Sequence, residues 1–267
     1  MQEKIIIFTD LDGTLLDKNT YSFEKALPVV KKLKERKIPL IFCTGKTRAE
    51  NEYYQKKLGL REPFIVENGG AIFIPKGYFS FPTPEIIKLG VSVTKLREAL
   101  EKIRKKTKFK ILGFGDMTAK EVAKDANLPL NLAKLAKKKE FNESFKFLEP
   151  KEKEKILFRE IKKLGFNYAH GGRYYNIFGK NTDKGKAVKK LTELFKREFK
   201  KVKSIGLGDS PNDIPMLKAV DLPILVKTPE GKWHPKVAKL KKVVKIDGIG
   251  PEGWVKAIEK YVLKEKL

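Results

Sequence analysis

Cysteine is nearly absent from this chain, since Cys43 is the only one among 267 residues. A single cysteine excludes an internal disulfide, so a disulfide framework plays no part in the fold. Cys43 ends an apolar run, and this position predicts a buried, unreactive thiol.

Long hydrophobic runs are also missing. No apolar stretch approaches the roughly 20 residues that a membrane-spanning helix needs. The first residues, Met1 to Lys4, lead directly into a short strand-like stretch without a small-residue cleavage site. We therefore expect a cytoplasmic protein with no membrane partner.

Acidic residues are few compared with basic ones. The chain has 33 Asp and Glu against 59 Lys and Arg, which gives a formal net charge of +26. Such a charge attracts nucleic acid, anionic membranes or small phosphorylated and carboxylated molecules, without choosing among them. Many lysines recur in helix-period stretches such as Lys189-Lys190-Leu191, a pattern typical of solvated helix faces.

Short apolar runs rich in β-branched residues alternate with helix-period segments. This pattern predicts a doubly wound parallel sheet, a Rossmann-like α/β core. The runs cover residues 5–8, 40–42, 64–66, 204–207 and 224–226. Helices are predicted from Ser22 to about Lys37 and, capped by Asn181-Thr182-Asp183, from Lys184 to about Lys200.

The middle of the chain mixes helix and strand in a different order and predicts an inserted α+β lobe. Predicted helices lie near residues 93–106, after the capping box Thr118-Ala119-Lys120-Glu121, and between Pro150 and Gly165. Predicted strands cover residues 109–114, 145–148 and 166–169. We expect a core domain of residues 1–83 and 177–267, with the inserted cap domain over residues 84–176.

Four of the apolar runs are each followed by polar or charged residues that could bind a ligand or take part in catalysis. Asp10 and Asp12 follow the first run, Thr44 the second, Glu67-Asn68-Gly69 the third, and Asp209 to Asp213 the fourth. The carboxyl ends of parallel strands form the ligand crevice of an open sheet, so we expect these stretches to converge on one site.

The residues of this site suit Mg²⁺-assisted phosphoryl transfer. Asp10, Asp12 and Asp209 offer only carboxylate oxygens, the ligands that Mg²⁺ prefers. Lys184 and the Thr44 hydroxyl can neutralise and orient phosphoryl oxygens. Taken singly, the acids could form turns, a calcium-loop fragment or a helix cap, and Lys184 could be a surface lysine. The ordered set is more specific than any member.

In chain order, Asp10-Leu11-Asp12-Gly13-Thr14, Thr44, Lys184-Gly185 and the stretch from Gly208 to Asp213 resemble the four motifs of the haloacid dehalogenase superfamily. The resemblance covers essentially the whole chain. The inserted lobe resembles the substrate-selecting cap of one branch of that superfamily.

This resemblance implies that Asp10 forms an aspartyl-phosphate and binds Mg²⁺. It implies that Asp12 protonates the leaving oxygen, then activates water, and touches the metal through its backbone carbonyl. Asp209 would be the remaining protein ligand, with Asp213 supporting the metal's water shell and Asn212 near the phosphate. A covalent intermediate divides one displacement into two and lets one acid/base serve both.

Three further stretches resemble the mannosyl-3-phosphoglycerate phosphatase family: residues 43–50, residues 63–75 and His170-Gly171-Gly172-Arg173. A serine often stands in that family where Gly45 is here. The implied substrate is a small sugar carrying both a phosphate and a carboxylate. Candidate substrate contacts are Lys46, Arg48 and Arg173 for the carboxylate or sugar, Glu67 and Glu143 for sugar hydroxyls, and the neighbouring Asn68 and Gly69. A structural salt bridge or cap is the alternative for each.

Two other functions stay open at this point. One is a related phosphatase acting on glucosyl-3-phosphoglycerate or sucrose phosphate. The other is a basic nucleic-acid-binding protein on a phosphatase scaffold. All the catalytic acids are present and the chain has no aromatic-basic RNA-binding motif, so we expect no nucleic-acid partner.

Overall fold

Strands and helices alternate along most of the chain in the computed structural model, which describes residues 3–171 and 174–264. The strands are β1 Lys4–Thr9, β2 Leu40–Phe42, β3 Phe64–Val66, β4 Ala71–Phe73, β5 Ile86–Lys88, β6 Ile111–Gly113, β7 Asn142–Phe147, β8 Phe166–Gly171, β9 Tyr174–Gly179, β10 Val202–Gly208, β11 Leu222–Lys227 and β12 Val244–Ile249. The α-helices are α1 Leu27–Glu35, α2 Arg48–Leu58, α3 Val93–Thr107, α4 Ala119–Ala126, α5 Leu130–Ala136, α6 Glu154–Lys163, α7 Lys184–Phe199, α8 Ile214–Ala219, α9 Pro235–Ala238 and α10 Gly250–Ile258.

The larger lobe, here called the core, is built on a five-stranded sheet. Its strand order is β12-β11-β10-β1-β2, and all neighbouring strands are parallel. Ile6, Ile7 and Phe8 of the central strand β1 are fully buried, because helices cover both faces of the sheet. Helices α1 and α10 pack on one face, and α7 and α8 on the other. This arrangement confirms the predicted Rossmann-like core.

Strand β3 joins the core sheet to a smaller one. A parallel bridge between Cys43 and Ile65 places β3 beside the end of β2. Strand β3 then pairs antiparallel with β4, and β4 with β5. This three-stranded sheet carries the chain from the core into the inserted lobe.

The inserted lobe, here called the cap, has a four-stranded antiparallel sheet in the order β6-β7-β9-β8. Helices α3 and α6 pack with the sheet around Phe145, Leu157 and Ile177. A second cluster, around Phe114 and Val122, holds α4 and α5. The cap therefore has hydrophobic clusters of its own, as a separate α+β domain requires.

Strand pairing indicates where the two domains meet. Strand β5 pairs with β4, which belongs to the core side, whereas β9 extends to Gly179 inside the cap sheet. We propose from this pairing that the cap spans about residues 89–182, a few residues later at each end than the sequence predicted.

Most of the predicted local features are present. All five predicted core strands are observed, and Asp183 caps α7 by accepting the Lys186 N–H. The helix predicted from Ser22 begins instead with a 3₁₀ turn, Glu24–Ala26, ahead of α1. The Thr118 hydroxyl accepts the Glu121 N–H, which confirms the capping box.

The single thiol and the helices agree with the expectations drawn from composition. Cys43 is buried, and burial raises the pKa of its thiol. Within residues 3–171 and 174–264, no helix is both long enough and apolar enough to cross a bilayer.

The separate packing of the cap can be tested with Phe145→Ala. We expect this change to lower the free energy of unfolding by about 3–5 kcal/mol, because it replaces a fully buried ring with a cavity. Hydrogen exchange should show protection lost in the cap sheet before β1 and β10. Phe199→Ala removes a partly exposed ring and is the control, with a smaller effect. Equal loss of protection in both lobes would contradict two separate clusters.

Candidate active site

The loops that carry the predicted catalytic acids come together at the carboxyl end of the core sheet. The Asp10 N–H donates to the Leu207 carbonyl at 2.9 Å, and the Cys43 N–H donates to the Thr9 carbonyl at 2.8 Å. These bonds extend the pairing of β1 with its two neighbours, β10 and β2, to the ends of the strands. The loops that follow therefore leave the sheet side by side, as expected for parallel strands.

Lys184 is the centre of the site. Its ammonium nitrogen lies 2.8 Å from Asp10 Oδ1 and 2.7 Å from Asp213 Oδ1, and all three side chains are buried. The second Asp213 oxygen accepts the backbone N–H groups of Asp209 and Ser210, each at 3.1 Å. One buried cation thus joins the loop after β1 to the loop after β10.

Burial and mutual repulsion shift the pKa values of these groups. Burial raises the pKa of Asp10 to about 6, although Lys184 opposes this shift. Burial, with the charges of Asp213 and Asp10, raises the pKa of Asp209 to about 8. Burial lowers the pKa of Lys184, but the charges of Asp10 and Asp213 outweigh it and raise that pKa above its usual value.

These carboxylates suit a divalent cation. Asp10, Asp209 and Asp213 are buried and each offers an oxygen within 4.8 Å of the others. Lys184 is the only cation that bonds to this group among the described residues. Because Asp213 uses both oxygens for Lys184 and for backbone N–H groups, Asp10 and Asp209 are the better metal ligands. An oxygen-only, strongly anionic group of this kind fits Mg²⁺.

The Asp12 side chain is not one of the three that could share a metal ion, and the contact of its backbone carbonyl with the metal stays a prediction. Asp12 Oδ1 lies 3.0 Å from the Lys46 ammonium, which is also 3.3 Å from Glu50 Oε1. Lys46 is buried and lies over the rings of Tyr21 and Tyr54. Lys46 was predicted to contact substrate. In the structure its ammonium bonds to the Asp12 and Glu50 carboxylates, and its contact with substrate stays a prediction.

The Thr44 hydroxyl lies in the same loop as Lys46. It accepts the Lys46 N–H at 3.3 Å, and the Thr44 carbonyl accepts the Asn68 N–H at 2.9 Å. A Cβ at Gly45 would lie 3.3 Å from the Asn68 amide nitrogen, a tight contact for the serine that is frequent at this position in the resembled family. The second and third loops are therefore packed directly together.

Two glycines allow the acidic loops to approach each other. Gly13 has φ +81°, and a Cβ there would come within 3.0 Å of Asp209 Oδ2. A Cβ at Gly208 would come within 2.6 Å of the Asp213 side chain. Side chains at these positions would push the acidic loops apart, so both glycines are required by close approach.

Glu67 was predicted to bind a sugar, which stays a prediction, and the structure directs its carboxylate to the backbone of the cap. Its carboxylate is fully buried and accepts backbone N–H groups from Glu140, Phe141 and Asn142 of the cap, at 2.8, 2.8 and 2.7 Å. Burial raises the pKa of Glu67, against the charge of Lys139 and the three N–H groups. With both oxygens already bonded, Glu67 joins core to cap.

Glu143 was also predicted to bind a sugar, which stays a prediction, and the structure places its carboxylate in contacts within the cap. Its side chain is buried, with Oε2 2.9 Å from Arg97 Nε and Oε1 accepting the Gly115 N–H at 2.7 Å. On strand β7 it alternates in phase with Phe145, which packs with α3 and α6. Glu143 thus forms an ion pair with Arg97 within the cap.

Arg48 is not brought to the acidic group. It lies in the first turn of α2, pairs with Glu52 at 2.7 Å and stacks its guanidinium 4.6 Å from the Phe73 ring centroid. Both charged groups of the Arg48–Glu52 pair are substantially exposed. The prediction that Arg48 contacts the carboxylate or sugar is not supported by this position.

The other predicted residues lie at the rim of the site or outside the described chain. Asn68 and Gly69 remain next to the Thr44 loop, with φ values of +59° and +95°. Asn212 is exposed, and its side-chain oxygen accepts the Ser210 hydroxyl. Arg173 lies outside the residues that the structure describes.

Three residues of the site were not among those predicted. The Thr14 hydroxyl donates to Asp209 Oδ1 at 3.3 Å, and Glu50 pairs with Lys46. The spelling Thr47-x-x-Glu50, a capping box, was a readable signal for Glu50. Lys18 lies against Gly13, and the charges of Asp12, Asp209 and Asp10 raise its pKa against burial. No sequence pattern marks Lys18.

Comparison with known proteins agrees with this geometry. Residues 7–249 match the haloacid dehalogenase-like hydrolase family. A protein of Methanococcoides burtonii named glucosyl-3-phosphoglycerate/mannosyl-3-phosphoglycerate phosphatase is 51% identical over 263 residues, 96% of each chain. A Pyrococcus furiosus protein named mannosyl-3-phosphoglycerate phosphatase is 39% identical over 90% of this chain and 98% of its own. A solved Thermoplasma acidophilum structure superposes with a TM-score of 0.70 over 98% of this chain and 100% of its own, at 19% identity, which shows a shared fold.

Metal binding can be measured without any assay of activity. At about 100 times its Kd, Mg²⁺ should stabilise the protein by about 2.7 kcal/mol, and the Tm should rise by several degrees. Asp209→Asn removes one ligand charge and should shrink this rise. Asp247→Asn, an exposed acid of an ion pair with Lys227, should not. The rise should grow from about pH 6 to about pH 8, because the metal must displace protons from Asp10 and Asp209. An equal rise in the Asp209→Asn protein would contradict this site.

Proposed function

Because the chain belongs to the haloacid dehalogenase-like hydrolase family and is a phosphatase, we propose that it releases phosphate from mannosyl-3-phosphoglycerate. The structural observation that supports phosphoryl transfer is the buried set of Asp10, Lys184, Asp209 and Asp213 at the carboxyl edge of the sheet. The names of relatives that match at least 90% of the chain support the substrate.

Glucosyl-3-phosphoglycerate is the second candidate substrate. The Methanococcoides burtonii relative, and a Persephonella marina protein 44% identical over 95% of this chain, carry both sugars in their names. The two substrates differ only in their hexose, so the phosphate-binding residues would serve both. The choice between them then depends on contacts with the cap.

In the first half-reaction, the Asp10 carboxylate is the nucleophile. Lys184 binds Asp10 Oδ1, which leaves the second oxygen to form a bond to phosphorus while the bond from phosphorus to the alcohol oxygen breaks. Asp12 gives its proton to that departing oxygen. Mg²⁺, held by Asp10 and Asp209, would reduce the electrostatic repulsion between the negatively charged carboxylate and the negatively charged phosphate ester.

In the second half-reaction, Asp12 takes a proton from water, and the water oxygen forms a bond to phosphorus. The bond between phosphorus and Asp10 breaks, and inorganic phosphate and free Asp10 result. Lys46 and Glu50 keep the Asp12 side chain beside the site through this exchange of roles. The Thr44 hydroxyl and the Lys184 ammonium donate to phosphoryl oxygens.

Asp10→Asn tests the covalent route. The amide has nearly the same shape as the carboxylate but is a far weaker nucleophile, so kcat should fall by about 10³-fold or more in the presence of Mg²⁺. Phosphate release measures this, and the exposed Asp247→Asn serves as the matched control with unchanged kcat. Turnover close to that of the unmodified protein would refute Asp10 as the nucleophile.

A substrate panel tests the assignment of the alcohol. We expect kcat/KM for mannosyl-3-phosphoglycerate and glucosyl-3-phosphoglycerate to exceed that for simple hexose phosphates and sucrose phosphate by at least about tenfold, since simple hexose and sucrose phosphates lack the glycerate carboxylate. Phosphate release at several substrate concentrations gives these values. A flat profile across the panel would contradict the substrate proposal and leave the phosphatase activity in place.

A further inference from the structure

Glu67 makes an unusual set of bonds between the two domains. A single core carboxylate accepts three consecutive backbone N–H groups, from residues 140, 141 and 142, at the beginning of cap strand β7. Glu67 is fully buried, so these bonds are shielded from solvent. Hydrogen bonds to an ionised carboxylate are stronger than neutral ones. Glu67 accepts three of them from the cap, whereas Thr47 makes one hydrogen bond to the cap, to the Leu135 carbonyl.

The turn that carries Glu67 is also fixed to the catalytic loops. The Glu67 N–H donates to the Lys46 carbonyl at 3.1 Å, and the Asn68 N–H donates to the Thr44 carbonyl at 2.9 Å. A Cβ at Gly69 would lie 2.3 Å from the Asp183 carbonyl oxygen, one residue before Lys184. The turn therefore contacts the Thr44 loop, the start of the Lys184 helix and the cap strand at once.

The backbone of this turn is held in an uncommon conformation. Glu67, Asn68 and Gly69 have φ values of +48°, +59° and +95°. Three consecutive residues with positive φ are costly for a chain with side chains, and such backbone persists only where its surroundings fix it. The Glu67 carboxylate accordingly has a defined direction toward the cap.

The strand that Glu67 holds begins with a side chain that lacks a partner. Asn142 is 1% exposed, and neither atom of its carboxamide has a hydrogen-bond partner among the described residues. Its backbone N–H is one of the three bound by Glu67, so two hydrogen bonds connect Asn142 to the Lys46 backbone. Buried amides normally have partners, so the two unpaired atoms of this carboxamide are polar groups that a bound ligand could satisfy.

We propose that Glu67 is a positioning residue that fixes the start of strand β7 over the site, and that the Asn142 carboxamide it presents hydrogen-bonds to the alcohol part of the substrate. This inference rests on the proposed function for the identity of that alcohol. Glu67 does not contact the substrate itself. It acts by fixing the position of the cap strand relative to the catalytic loops.

Hydrogen exchange tests the anchor without any substrate. Glu67→Gln keeps the size of the side chain but replaces one accepting oxygen with an N–H₂ group that cannot accept a bond. We expect the amides of residues 140–142 to exchange at least about tenfold faster in this variant. Glu62→Gln is the matched control, since Glu62 is also a partly buried core carboxylate but accepts the Tyr78 hydroxyl within the core. Should Glu67→Gln not fold, Glu67→Asp, a shorter acceptor, should show an intermediate increase.

Kinetics with two substrates test the role of the anchor in recognition. For the sugar phosphoglycerate, kcat/KM should fall about tenfold or more in Glu67→Gln and in Asn142→Ala, mainly through KM in the second variant. For p-nitrophenyl phosphate, which has no sugar or glycerate, both variants should stay within about threefold of the unmodified protein. Asn142→Gln, which keeps the amide but moves it, should be intermediate.

The outcomes separate the parts of the inference. Unchanged exchange at residues 140–142 in Glu67→Gln would overturn the anchor. An equal loss for both substrates in Asn142→Ala would show a structural role and overturn recognition by this side chain. Failure of the unmodified protein to hydrolyse either sugar phosphoglycerate would instead refute the proposed function, and the exchange experiment would still decide the anchor.

Discussion

The site depends on the ion pairs that Lys184 makes with Asp10 and Asp213. Two buried carboxylates so close together would repel each other and remain partly protonated without this cation. Lys184 lies at the first residue of α7, while Asp10 follows β1 and Asp213 follows β10, so one side chain ties together three segments distant in sequence. Breaking a buried ion pair of this kind is far more disruptive than losing an exposed one. The charge balance of the site and the packing of its loops therefore have the same source.

Parallel pairing explains why these segments meet. Strands β2, β1 and β10 lie side by side and end at the same edge of the sheet, so their following loops share one small volume. The glycines at 13 and 208 then let the loops approach within contact distance. Neither feature determines a substrate. One core of this kind can serve different substrates, so selectivity for a substrate has to come from groups outside the core.

The sequence predicted the parts of this structure that are local. Each acid of the candidate site follows a buried apolar run within a few residues, so the strand pattern alone places it at the sheet edge. The observed partners of Glu67 and Glu143 could not be predicted, because they lie 73–75 residues and 28 or 46 residues away in the chain. An acidic residue in a turn has the same appearance in sequence whether it faces a ligand or a distant backbone. Only the tertiary pairing of cap and core distinguishes these cases. The domain borders that we propose differ from the predicted ones for a related reason, because the pairing of strand β5 with β4 cannot be read from the sequence.

The contact between Glu67 and the cap uses backbone N–H groups as donors, and every residue except proline supplies one. These three hydrogen bonds therefore place no demand on side-chain identity beyond excluding proline, although the Phe141 ring is also buried in the hydrophobic cluster of the core. Over evolutionary time, the cap can change its surface and accept different alcohols while remaining joined to the same core. A junction made mainly with backbone donors leaves most cap side chains free to vary, whereas Glu67, Asn68 and Gly69 of the core turn are fixed by their contacts and their positive φ values.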